Sequence, residues 1–372
     1  MLSKEELIRY QKQISLPGFG TAAQLKLRQA KVLVVGAGGL GCPALQYLAA
    51  AGIGILGILD GDTVAESNLS RQVLYDSSEI GRSKPALLQN KLQQQNPHAC
   101  IHSFAFALNY ENAGILLPQY DLVLDCSDNF PTRYLINDYC AWLRKPVVFA
   151  SVSAFEGQVA VFNCGNMQEE IPLNYRDLHP WPPEENCIRN CAENGVLGVV
   201  AGITGLMQAN EAIKLLSGTG TVLKEQVLYY DALSGTSRVL RLPHNPHNPL
   251  RQWPDLQAFL EQHRDDYVMA CGPLTEEITP QAFTALCASG EAIQLIDARE
   301  PEEYEAFTLP HALSVPFSSP GVAVGKIDPH KKTVAFCNSG TRSAQLIQAL
   351  QQKYDFKNIF LNLQGGLNHY FN

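Results

Sequence analysis

Three groups of residues in this chain have the types and spacing to do chemistry. The first is Gly36-Ala37-Gly38-Gly39-Leu40-Gly41, set between an apolar β-branched run and a helical pattern. Glycines there permit a tight turn, and the unpaired N–H groups that open a helix face whatever anion approaches. Asp60 ends the next apolar run, where a carboxylate accepts hydrogen bonds from ribose hydroxyls. Glycines alone would make only a tight strand–helix turn; strand, helix and acid together predict a nucleotide site. A dinucleotide and ATP both satisfy that much. The cations that follow decide between them: Asn68-Leu69-Ser70-Arg71-Gln72, then Lys84. Hydride transfer needs an apolar nicotinamide pocket, whereas adenylation needs cations around a triphosphate as charge gathers on the α-phosphate and pyrophosphate. Arg71 can grip oxygens with a two-pronged fork, and Lys84 supplies a point charge. Asp128, in Asp125-Cys126-Ser127-Asp128-Asn129, ends another strand at the edge where a magnesium-holding carboxylate is needed. Singly, Arg71 or Lys84 is an ordinary surface cation and Asp128 a helix cap. The set carries the reading.

The second group is Cys337-Asn338-Ser339-Gly340-Thr341-Arg342-Ser343, between a strand and a helix. Such a turn brings successive backbone N–H groups around the sulfur, and the helix N-terminus and Arg342 favour an anion there, whether thiolate or bound persulfide. A buried core cysteine is the usual alternative, and the glycine, serines and arginine around Cys337 argue against it. The third group is Cys187 and Cys191, in a long polar stretch just before a helix at Gly198. A thiolate there has access and some electrostatic support, though an inert loop thiol reads equally well from the residues alone.

The elements that must position these groups alternate. Strands are predicted at 31–35, 53–59, 122–124 and 146–150, with helices at 40–51, 84–95 and 130–143, the βαβ rhythm of a mostly parallel sheet. Strands at 158–162, 227–231 and 237–242 read as a hairpin-rich continuation, with a long helix at 200–216 among them. Between 163 and 194 the pattern fails, and a loop of about thirty residues inside a compact domain is often functional. The stretch 243–274, opening His244-Asn245-Pro246-His247-Asn248-Pro249, reads as an interdomain linker with one helix. A second α/β pattern follows: strands at 292–296, 333–336 and 358–360, helices at 301–307 and 341–351. The predicted domains are therefore 1–242, a linker 243–274, and 275–372.

With 372 residues, 46% of them apolar and 17% charged, the chain has material for two or three packed cores. A net charge of −8 argues against a dedicated nucleic-acid binder or anionic-membrane binder. No apolar run is long enough to cross a bilayer, and the N-terminus lacks the apolar core of a signal peptide. Ten scattered cysteines without an export signal are expected to be mostly reduced thiols in a cytoplasmic protein.

Taken with Arg9-Tyr10-Gln11-Lys12-Gln13-Ile14, the glycine loop, Asp60-x-Asp62, Asn68-x-x-Arg71-Gln72, Lys84 and Cys126-Ser127-Asp128-Asn129 resemble the MoeB/ThiF family over roughly residues 1–242. Those proteins are similar to the ubiquitin-activating adenylyltransferases and act on small sulfur carriers of ubiquitin-like fold. The resemblance implies Asp60 on ribose, with Asn68, Arg71 and Lys84 on the phosphates of ATP and Asp128 on magnesium. It places Gly36, Gly38, Gly39, Gly41 and Gln72 in the same nucleotide site. It also implies a homodimer, because a basic residue from the neighbouring subunit's N-terminal helix completes the site. That residue is usually arginine and is Lys12 in this chain, which keeps the charge and loses the fork. Asn190-Cys191-Ala192-Glu193-Asn194-Gly195 resembles the family's catalytic-cysteine segment, which makes Cys191 the candidate and Cys187 a substitute or resolving partner.

Many relatives hold structural zinc with two Cys-x-x-Cys pairs. Aligned by their flanks, the four ligand positions become Asn174, Asp177, Asn248 and Arg251. A neutral amide is a poor zinc ligand and arginine is none at all, so no structural zinc is expected. His244 and His247 read as ordinary exposed loop residues.

Residues 275–372 resemble rhodanese domains through Leu295-Ile296-Asp297-Ala298-Arg299-Glu300-Pro301-Glu302-Glu303-Tyr304, Leu309-Pro310-His311-Ala312 and the Cys337 loop. Phosphatases of related fold place five residues between cysteine and arginine. The four between Cys337 and Arg342 suit a sulfur better than a tetrahedral phosphate.

The expected fold is α/β, a Rossmann-like mostly parallel adenylation domain followed by a small α/β rhodanese domain. The expected function is ATP-dependent adenylation of the terminal glycine of a ubiquitin-like sulfur carrier ending in Gly-Gly. Sulfur then passes from a Cys337 persulfide, charged by a persulfide or thiosulfate donor, to form a thiocarboxylate. Carriers of molybdopterin synthesis, thiamine synthesis and tRNA thiolation all fit. The competing readings are a nicotinamide oxidoreductase fused to a sulfurtransferase, which the Arg71 and Lys84 set opposes, and a non-catalytic carrier-binding scaffold.

Overall fold

The structure, a computed structural model, describes residues 1–164, 171–182, 195–253, 255–267, 276–354, 356 and 359–370. The chain divides into two units, Met1–Met269 and Ala270–Asn372.

The first unit is built on an eight-stranded sheet in the order β3-β2-β1-β4-β5-β6-β7-β8: β1 (Lys31–Val35), β2 (Ile55–Leu59), β3 (Cys100–Phe104), β4 (Leu122–Asp125), β5 (Val147–Ser153), β6 (Glu156–Phe162), β7 (Gln226–Asp231) and β8 (Thr236–Arg241). The five strands from β3 to β5 are parallel, and β6, β7 and β8 add antiparallel. After the exposed Lys31, β1 is apolar without interruption because both of its faces are covered. Val32 and Val34 enter one core with Leu56, Ile58 and Leu124, while Leu33 and Val35 enter the opposite core with Leu59 and Val123. From β1 the chain steps to β2 and β3 on one side, then crosses to β4 and β5 on the other. The connections thus change direction at β1, the place where open α/β sheets receive ligands beyond the carboxyl ends of their strands.

The helix Gly41–Ala51 starts directly after the glycine turn, and no side chain caps its N-terminus. The helix Gly198–Ser217 packs across the helix Gly41–Ala51 and against β5 and β6, and ends on Gly218 in the left-handed conformation. Sequence periodicity missed β3 and the helix Tyr110–Leu116. In β3 only Ile101 of the first three residues is buried, so the strand has no apolar run to announce it.

The stretch expected to be a linker, 243–274, is for the most part folded onto the first unit. Helices Pro249–Gln252 and Leu256–Gln262 and the turn Arg264–Tyr267 bury Leu250, Phe259, Leu260 and Tyr267. The Tyr267 hydroxyl donates to Asp138 at 2.8 Å, and Asp138 is also gripped by both prongs of Arg176 at 2.8 and 2.6 Å. The one helix expected in this stretch is present as Leu256–Gln262, but four large apolar residues among prolines and amides are too few to announce that it docks.

The second unit carries a five-stranded parallel sheet in the order β11-β10-β12-β13-β9, from β9 (Glu276–Ile278), β10 (Ile293–Asp297), β11 (Ala312–Ser314), β12 (Lys332–Phe336) and β13 (Phe360–Leu363). The strand expected at 358–360 is displaced to Phe360–Leu363, and three-residue β9 and β11 are too short to leave a periodic trace. No helix among the described residues is long and apolar enough to cross a membrane.

Candidate active site

The glycine turn is made by backbone demands. Gly36 has φ of 100°, and a Cβ there would strike the carbonyl of Cys126; one on Gly41 would strike the carbonyl of Gly36. The turn is thus pressed between the ends of β1 and β4, with the uncapped helix N-terminus opening beside it.

Asp60 braces this turn from the end of β2. Its carboxylate accepts from the Ala37 N–H and from the Asp62 N–H, both at 2.7 Å. Burial pushes the Asp60 carboxyl above its usual range, against the pull of the Lys84 charge and those two N–H groups. Lys84 is only 3% exposed and its ammonium lies 3.0 Å from the exposed carboxylate of Asp62. Asn68 makes the next turn: its carbonyl accepts from the N–H groups of Arg71 and Gln72, and its Oδ1 from Ala65. Arg71 donates to the Ser67 carbonyl at 2.8 Å, and its backbone lies against Gly39. Gln72 is buried with its Oε1 unpartnered, and its amide nitrogen would sit 3.5 Å from a Cβ on Gly38. An orphaned acceptor beside the turn fits a ligand carrying a hydroxyl or amino donor.

Asp128 is exposed past the end of β4, and the helix cap it resembled in sequence belongs to Asn129, whose side chain accepts from Thr132 at 2.9 Å. The carboxylate of Asp128 is left for other work. Behind it lies a support that the sequence did not announce. Buried Asp125 accepts from the Ser127 N–H and hydroxyl, and Arg133 lies 3.4 Å from it while donating to the Ser127 carbonyl at 2.9 Å. Burial raises the Asp125 carboxyl, and the Arg133 charge opposes that shift. Gln208, from the helix Gly198–Ser217, donates to the carbonyls of Asp125 and Val148 at 2.8 and 2.7 Å and accepts from the Cys126 thiol at 3.1 Å. A glutamine inside an apolar helical run was the available signal.

The structure thus gathers Gly36, Gly38, Gly39, Gly41, Asp60, Asn68, Arg71, Gln72 and Lys84 around one turn, and sets Asp128 on the neighbouring β4 loop. Lys12 stands exposed on the helix Gln11–Ile14, with no side-chain hydrogen bond or ion pair joining it to that set. Cys187 and Cys191 lie outside the described residues. Gly198, which starts the long helix, abuts Ser70 and Arg71, and Ala201 faces Gly39.

The four positions aligned with zinc ligands do meet, and they hold one another. Asn248 donates to the Asn174 side chain at 3.1 Å, and Arg251 forks onto Asp177 at 3.1 and 2.9 Å. Asp177 also accepts from the N–H groups of Asn174 and Asn245. Two amides, a carboxylate and a guanidinium with mutually satisfied partners do not fit a zinc ion. His244 and His247 are exposed.

In the second unit Cys337 follows β12 and is fully buried. The Gly340 N–H donates to its sulfur at 3.1 Å, and the Ser343 hydroxyl lies 3.5 Å away, held by Asn362 at 2.7 Å. Arg342, expected to draw an anion to this sulfur, is instead bound through both prongs to Glu303 at 2.6 and 2.9 Å. The partner lies 39 residues back in the chain, on the helix Pro301–Ala306, which is why the sequence did not reveal it.

The ThiF family model matches residues 10–250, and the rhodanese-like domain model matches residues 279–372. The chain is 38% identical over 369 residues to the probable adenylyltransferase/sulfurtransferase MoeZ of Mycobacterium tuberculosis, covering 98% of this chain and 93% of that protein. It is 45% identical over 264 residues to the sulfur carrier protein adenylyltransferase of Thermus thermophilus, covering 69% of this chain and 97% of that one. Among solved structures, E. coli MccB with ATP superposes with a TM-score of 0.54 at 19% identity, over 64% of this chain and 72% of that one, a likeness of fold.

Proposed function

Because the chain belongs to the ThiF family and carries a rhodanese-like domain, we propose that it adenylates the C-terminal glycine of a ubiquitin-like sulfur carrier and then converts it to a thiocarboxylate. It is an adenylyltransferase with associated sulfurtransferase activity, as its relatives' names state for them. The observation that carries the site assignment is the orphaned Gln72 acceptor and buried Lys84 beside a glycine turn where the strand order of the sheet reverses.

A free carboxylate is a poor acyl donor because its leaving group would be oxide. The carrier's terminal carboxylate attacks the α-phosphorus of ATP, the bond to pyrophosphate breaks, and an acyl-adenylate forms. Asp60 takes the ribose, and Arg71, Lys84 and Asn68 offset charge on the phosphates. Asp128 is the residue that would hold magnesium, which supplies charge neutralisation on the departing pyrophosphate. A persulfide on Cys337 then attacks the acyl carbon and AMP leaves. Cys191 as resolving thiol attacks the Cys337 sulfur and releases the thiocarboxylate, and a small-thiol reductant clears the resulting disulfide. Lys12 acts across a homodimer as the remaining phosphate cation. Such chemistry belongs in a reducing compartment, the cytoplasm, and the seven described cysteines are free thiols.

The test is carrier-dependent ATP–pyrophosphate exchange alongside mass analysis of the carrier. Cys337→Ala is expected to keep the exchange and lose the shift from oxygen to sulfur at the carrier terminus. Full thiocarboxylate output from Cys337→Ala with thiosulfate as donor would remove the second domain from the reaction.

A further inference from the structure

Two guanidinium groups stand at the Cys337 loop, and each is matched by a carboxylate. Arg342 forks onto Glu303, whose Oε1 also accepts from Asn338 at 2.9 Å. Arg299 forks onto Asp297 at 3.0 and 2.7 Å and reaches the Asn338 oxygen at 3.4 Å. Two positive and two negative side chains cancel. Of the four, Glu303 is the most open, with 33% of its side chain exposed against 11% for Arg342, 7% for Arg299 and none for Asp297. The hydrogen bonds from Arg342 hold the Glu303 carboxyl below the usual range, so its negative charge stands at the loop's rim at neutral pH. The donor that the loop turns to the sulfur is a neutral one, the backbone N–H of Gly340 at 3.1 Å, while the Ser343 hydroxyl is held by Asn362 at 2.7 Å.

Charging Cys337 moves one neutral sulfur atom. The thiolate attacks the outer sulfur of the donor, the donor's S–S bond breaks, and the leaving group departs with the bonding pair. From thiosulfate that leaving group is the sulfite dianion; from a persulfide it is a monoanionic thiolate. A dianion approaching this loop finds both guanidiniums already matched and the Glu303 charge in its way.

We infer that Glu303 selects the sulfur donor, disfavouring thiosulfate against a persulfide by occupying the Arg342 fork. This rests on Cys337 being the sulfur acceptor. Selection of this kind works by repelling the wrong substrate as much as by attracting the right one.

The experiment is thiocyanate formation by the full chain with cyanide as acceptor, using thiosulfate and cysteine persulfide as alternative donors. Glu303→Gln keeps an acceptor for Asn338 and removes the charge. The ratio of kcat/KM for thiosulfate to that for persulfide is expected to rise about tenfold, the scale of one released charge pair. Adding Arg342→Ala to that chain is expected to abolish the rise, and Glu303→Asp, which keeps the charge, to leave the ratio within about twofold. A ratio unmoved in Glu303→Gln, with both donors changing alike, would make Glu303 a brace for the loop and overturn the inference. The acceptor reading is checked separately, since Cys337→Ala retaining wild-type thiocyanate formation with either donor would defeat it whatever the ratio does.

Discussion

Asp60 is caught between burial, which favours its neutral form, and the Lys84 charge and two backbone N–H groups, which favour the carboxylate. Burial wins, so the folded protein binds a proton at Asp60 more tightly than the unfolded chain does. As pH falls the group therefore protonates earlier than an ordinary aspartate. Folding gains slightly from that protonation, while the acceptor offered to ribose is lost. ATP affinity measured by titration calorimetry is expected to weaken as pH falls, beginning above the range where an ordinary aspartate titrates, and Asp60→Asn to weaken it throughout by about tenfold and flatten the slope. An unchanged slope in Asp60→Asn would assign the titration to another group. Much of this site was legible because its residues follow one another along a single βαβ passage. Arg133 behind Asp125, Gln208 under the β4 loop and Glu303 on Arg342 were not, since each partnership is created by the fold, across 83 residues for Gln208 and Asp125.

At the scale of elements, the helices Tyr175–Leu178 and Pro249–Gln252 are joined through the side chains of Asn174, Asp177, Asn248 and Arg251, the four positions that the family resemblance aligned with metal ligands. The junction ties the short helix Tyr175–Leu178 to the segment that runs on to Tyr267. Asp177 has no side-chain exposure, and Arg251 only 16%. Removing the guanidinium leaves a buried carboxylate with only backbone donors, a loss of about 3 kcal/mol. Arg251→Ala is therefore expected to lower Tm by about 5–10 °C in calorimetry. Chelator treatment of the unmodified protein is expected to leave Tm where it was, with no stoichiometric zinc by metal analysis. Zinc found at one per chain, and stability lost on its removal or in His244→Ala/His247→Ala, would reverse this view. The composition of the four positions was readable in the sequence. That they would bond to one another was not, because pairing of an amide with an amide depends on orientation.

Across the whole molecule, the boundary of the first unit is set by anchoring residues that come after the ThiF match ends at residue 250. Phe259 stacks on the Arg176 guanidinium at 5.1 Å, and Tyr267 closes the buried Asp138–Arg176 pair. A chain ending at 242 would bare that ion pair and the apolar surface beneath Leu250, Phe259 and Leu260. It is expected to aggregate, whereas a chain ending after 267 is expected to unfold cooperatively as a single unit; equal thermal unfolding of the two would show these helices to be dispensable. The alternation of strands and helices, the hairpin continuation and the division into two units could all be read from periodicity. That the tail packs onto the first unit could not, since its one expected helix carries too few apolar residues to mark a buried face.

One consequence follows from the depth at which Cys337 is set. Its sulfur has no exposure, so any partner that exchanges sulfur with it, small donor or carrier terminus, must first part the loop 338–343. That parting is then a step shared by loading and unloading, and a substitution that stiffens the loop is expected to slow both alike.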